Sequence, residues 1–114
     1  MGYMRHNAIV VSGWDENRVN LAHEKAVQIG MCVSPVSPEV VNSYTSFCVF
    51  TDGSKEGWDE SHAGDERRDE FVKYLISEFR TVDDSSYLDW VEVQYGDDER
   101  ITKIIRHSDE TPTE

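Results

Sequence analysis

Asn7-Ala8-Ile9-Val10-Val11-Ser12-Gly13-Trp14-Asp15 decides the fold, because it sets a short apolar run directly against a helix start. The run from Ala8 to Val11 is continuous, as in a central strand covered on both faces, and predicts a strand over Asn7–Ser12. Gly13-Trp14 breaks it, and Asp15 is suited to cap a helix through its carboxylate. Val19, Ala22, Ala26 and Ile29 then recur at spacings of three, four and three, one stripe of a helix. Gly30 ends that helix, since glycine enters the left-handed conformation without a Cβ penalty.

Working outward, Ser34-Pro35-Val36-Ser37-Pro38 is excluded from helix interior and central strand, because each proline lacks an amide donor. It predicts a connector of polyproline character. Tyr44–Thr51, rich in aromatic and β-branched residues, predicts a second strand. Asp52-Gly53-Ser54-Lys55-Glu56-Gly57-Trp58 reads as a glycine-punctuated loop at its end, and polar Asp59–Gly64 as a mobile extension of that loop. A second helix is expected from Asp65, with Phe71, Leu75 and Phe79 repeating at four, and Asp69 and Lys73 as an i,i+4 pair. Thr81–Ser86 is a polar loop, and Trp90–Tyr95 with Ile101–Arg106 predicts a hairpin across Gly96-Asp97-Asp98-Glu99. The β-α-β-α-β-β order implies a two-layer α+β domain over residues 1–106, about four strands with two helices on one face. His107–Glu114 is expected to be a flexible tail.

A chain of 114 residues, 38% hydrophobic and 11% aromatic, is a folded single domain. Its formal charge of −12, from 23 acidic and 11 basic residues, argues against free nucleic acid as a partner, because phosphates need a positive footprint. That acidity is either a solubilising surface or a face that docks on a basic protein. No apolar run is long enough for a membrane span, and Met1–Val11 lacks the pattern of a secretion signal. Cys32 and Cys48, each in apolar company, read as buried reduced thiols of a cytoplasmic protein.

Catalytic and metal chemistry find little support. His6, His23, His62 and His107 show no paired ligand spacing, and neither cysteine has a partner nearby. Asp52, Ser54, Glu56 and Gly57 imitate the start of a calcium loop, but its twelfth position, which needs a bidentate glutamate, is Ala63. No elbow motif presents a serine nucleophile. The chain is therefore expected not to be an enzyme and to need no cofactor or metal. A small anion is better provided for. Ser54 and Lys55 offer a hydroxyl and a cation, and Trp58 a face on which a base can stack. Arg67 and Arg68 enter on the expected first turn of the second helix, where the helix dipole favours an anion. Arg5, His6 and Asn7 form a second polar cluster at a strand end. Each residue also has a plain structural role open to it: Lys55 in a turn, Trp58 at a core edge, Arg67 and Arg68 offsetting neighbouring carboxylates.

Arg5-His6-Asn7, the Asp52–Trp58 segment, Asp65–Phe71 and Trp90-Val91-Glu92-Val93-Gln94-Tyr95-Gly96-Asp97-Asp98 together resemble a family of small acidic proteins of tailed bacteriophages and prophages. The resemblance spans most of the chain, from Arg5 to Glu110. It implies a counter-defence accessory protein inside a bacterial host cell. One expectation is a homo-oligomeric sponge that sequesters a small nucleotide signal, of the cyclic dinucleotide or cyclic ADP-ribose type, without cleaving it. The other is an acidic inhibitor occupying a nucleic-acid-binding surface of a host defence complex.

Overall fold

The computed structural model describes residues 6–39, 41–50, 59–81, 86–96 and 102–109, with side chains in the second helix described from residue 63 onward. The element order is β1 (His6–Gly13), α1 (Glu16–Ile29), β2 (Thr45–Val49), α2 (Asp59–Glu78), β3 (Asp89–Tyr95) and β4 (Lys103–His107), the expected β-α-β-α-β-β. The four strands form one sheet in the order β2-β1-β3-β4. β1 is antiparallel to both of its neighbours. β2 and β3 therefore run the same way on either side of it, and α2 carries the chain across the central strand. A bulge between Glu92 and Val93 interrupts the β3–β4 ladder.

Both helices pack on one face of the sheet. The core joins Ile9, Val11, Phe47, Val49 and Trp90 of the sheet to Val19, Ala22 and Ala26 of α1 and to Phe71, Val72 and Leu75 of α2. α1 has the expected ends. The Asp15 carboxylate accepts from the Asn17 amide at 3.0 Å. Gly30 takes φ 97°, and its amide donates to Ala26 and Val27 while that of Met31 donates to Ala26. These bonds satisfy carbonyls that the end of the helix leaves open.

The proline-containing connector has a definite task. Ser34 and Ser37 each donate a backbone amide to a β2 carbonyl, of Cys48 at 2.9 Å and Ser46 at 2.8 Å. Their hydroxyls accept the amides of those same two residues. The serines supply donors that the neighbouring prolines lack, and the outer edge of β2 is covered. At the other end of the sheet, pairing continues past β4: Ser108 donates its amide to the Trp90 carbonyl and accepts the Trp90 amide on its hydroxyl.

Three expectations are corrected. α2 begins at Asp59, not Asp65, so the supposed mobile extension Asp59–Gly64 is helix. The low helix propensity of Gly64 yields to tertiary context. β1 is not covered on both faces: Ile9 and Val11 are fully buried, whereas Val10 between them is 39% exposed. An antiparallel sheet with all its helices on one side leaves the other side open. Cys32 is exposed rather than buried, and Cys48 half-buried; both are free thiols. Cys32 sits on the connector outside the sheet, where its carbonyl serves the Phe50 amide. Among the described residues no helix is long and apolar enough to cross a membrane.

Candidate functional site

Of the residues expected to grip a small anion, Arg5, Ser54, Lys55 and Trp58 lie outside the described residues, as does the whole Asp52–Trp58 segment. His6 and Asn7 are described at the start of β1, opposite Tyr95 and Gln94 of β3. The His6 ring packs 5.2 Å from that of Tyr95 at 47°. Gly96, at φ 82°, leaves room for this contact, since a Cβ there would come within 2.5 Å of the imidazole. The Asn7 carbonyl oxygen accepts from the Gln94 amide at 3.2 Å. Both side chains thus hold the end of the β1–β3 ladder.

Arg67 and Arg68 stand in the middle of α2, because the helix starts at Asp59. The dipole effect expected for them is confined to a first turn that they do not occupy. Arg67 is half-buried. Arg68 is only 5% exposed and donates to the Asp65 carboxylate one turn earlier.

The sheet contributes a charged seam that sequence reading missed. Glu92 lies on the core face of β3 with its side chain 4% exposed, and Arg106 of β4 donates to it through Nε at 2.6 Å. The same guanidinium donates to Asp69 of α2 at 2.9 Å, and Lys73 closes on the second Asp69 oxygen at 2.9 Å, the expected i,i+4 pair. Burial opposes the charge on Arg106, but the bond and charge of Glu92, then of Asp69, outweigh it and hold the group above its ordinary pKa. Asp69 is held below the ordinary carboxylate value, first by the bond from Lys73 and then by that from Arg106. A signal for the seam was present: in the alternation Trp90-Val91-Glu92-Val93, Glu92 shares a face with a buried tryptophan and so requires a cation from a neighbouring element.

The uncovered face is different in character. Val10, Ser12, Val91 and Ile104 line a groove of about 390 Å³, with Asp89, His107, Ser108 and Asp109 also at its walls. Ile104 is 62% exposed, and Asp89 and Asp109 are both exposed. The groove therefore sets an apolar floor, open to water, beside two carboxylates.

Among the described residues no group of three or more histidine, cysteine, aspartate or glutamate side chains is placed to hold a metal ion. Comparison of the chain with protein-family models, curated proteins and solved structures finds no match.

Two outcomes follow from the seam. Arg106→Met should cost about 3 kcal/mol in denaturant unfolding, because it strands the Glu92 carboxylate at the core edge, and Glu92→Leu should cost less, because Arg106 keeps its bond to Asp69. The double variant should return to within about 1 kcal/mol of wild type, since it removes both charges; additive losses would contradict the pairing. For Asp69, a folded-state pKa below the unfolded one contributes stability above the ordinary carboxylate range, lost as pH falls through the folded value. The stability gap between wild type and Asp69→Asn should therefore be wide at pH 7 and narrow at pH 3, measured by urea unfolding at both.

Proposed function

We propose that this chain is a non-catalytic acidic binding protein that occupies a basic, nucleic-acid-binding surface of a protein partner, the inhibitor arrangement implied by its phage-type resemblance. The observation that carries the reading is how the charge of −12 is distributed. Arg18, Arg68, Lys73 and Arg106 are all engaged with carboxylates of the chain itself. Arg18 also lies 3.8 Å over the Tyr87 ring, and Lys25 faces Tyr74 at 5.4 Å. Cations committed in this way leave the acid excess to dominate the outward field, which steers a basic partner toward the protein. The sequestering reading relies on Ser54, Lys55, Trp58 and Arg5, and its two described cations on α2 lack the helix-end setting expected of them.

The test is capture of host proteins at rising salt, followed by competition. A partner of basic character should elute between about 0.15 and 1 M salt, where the screening length falls from about 8 to 3 Å. Its nucleic-acid binding should then be blocked by the purified chain. A rise of several degrees in melting temperature with micromolar cyclic dinucleotide or cyclic ADP-ribose isomer, and no such partner, would overturn this reading in favour of the sponge.

A further inference from the structure

On the helix-covered face, Arg68, Asp69, Glu92 and Arg106 are each paired with an oppositely charged side chain. The opposite face of the same sheet combines two features. Its floor is largely aliphatic: Val10 of β1, its register partner Val91 of β3, and Ile104 of β4, which pairs with Val93 two residues further along β3. Trp90 and His107, the β4 partner of Val91, also line it. Its walls carry two exposed carboxylates, Asp89 where β3 begins and Asp109 just beyond β4. An uncharged apolar ligand would gain nothing from those carboxylates. A purely polar cation would gain nothing from the floor.

We propose that this groove docks a lysine- or arginine-bearing segment of a protein partner. The aliphatic stem of a basic side chain lies on Val10, Val91 and Ile104, and its cationic head meets Asp89 and Asp109. Long basic side chains bury their methylene stems on apolar surface while the charged end stays at the rim. Arginine in particular forms charge-assisted bonds to carboxylates and is enriched among the anchors of interfaces. The volume of about 390 Å³ lies within the range of pockets that hold a compact group. A second copy of the chain fits less well, because two molecules of charge −12 would bring like-charged rims together. This inference rests on the acidic-inhibitor reading and places its contact surface.

The experiment is an NMR titration of the ¹⁵N-labelled full chain with two synthetic ten-residue peptides, one alternating leucine and arginine, the other serine and arginine. The leucine–arginine peptide should shift the amides of Val10, Ser12, Asp89, Val91, Ile104 and Asp109, and bind at least tenfold more tightly than the serine–arginine one. The double variant Asp89→Lys/Asp109→Lys should weaken it at least tenfold, and Ile104→Ser several-fold, with melting temperatures unchanged because all three positions are exposed. Shifts spread over α1 and α2, or equal binding by these variants, would overturn the proposal. So would groove shifts that grow with protein concentration in the absence of peptide, which would assign the face to a second copy. If the variants still capture a basic host partner at wild-type strength, the groove assignment fails while the inhibitor reading stands. If the chain captures no basic partner and melts higher with a nucleotide, both fail.

Discussion

One sheet has two faces, and among the described residues apolar helix covers only one of them. α1 and α2 both pack on the side of Ile9, Val11, Phe47, Val49 and Trp90, and the resulting core is a single cluster. Everything else about the molecule adjusts to that asymmetry. The covered face accepts aromatic and aliphatic bulk and forces any charge placed there to find a partner. The other face keeps Val10 and Ile104 in water. Fully burying such side chains from water is worth about 1.5–3 kcal/mol each, and the part that folding has not used remains on this face.

The seam of Glu92, Arg106, Asp69 and Lys73 shows how the covered side handles charge. It links β3 and β4 to α2 near the bulge at Glu92/Val93, where ladder pairing is irregular. The same economy of cations shapes the exterior. Basic residues that bind carboxylates of their own chain are not available for an external phosphate, and the acid excess is what a partner meets. On the proposed inhibitor reading, the open face and the acid excess would both serve a basic protein partner.

Much of the architecture was legible because it is local. The Asp15 cap, the Val19–Ile29 stripe and the Gly30 stop lie within a few residues of one another and need no tertiary information. The element order and the Asp69–Lys73 pair followed from periodicity in the same way. What was missed depends on contacts distant in sequence. The apolar run Ala8–Val11 is the same whether one face or both are covered, and only the placement of both helices on one side decides between them. The start of α2 was obscured by Gly64 and Ser61, whose weak propensity tertiary context overrides. The Glu92–Arg106 pair spans a hairpin and Arg106–Asp69 joins strand to helix, so spacing alone could not reveal either. Of the residues proposed to bind a ligand, His6 and Asn7 lie at a strand end, in contact with Tyr95 and Gln94.

The central claim is that one face of the sheet is closed and the other open in solution. Solvent paramagnetic relaxation of assigned methyl groups, with a small neutral gadolinium chelate, tests this most directly. The methyls of Val10 and Ile104 should relax strongly and those of Ile9 and Val11 weakly, with the contrast unchanged between dilute and concentrated samples. Equal protection of both sets would contradict the account, because it would mean that a second layer already covers the face assigned here to a partner.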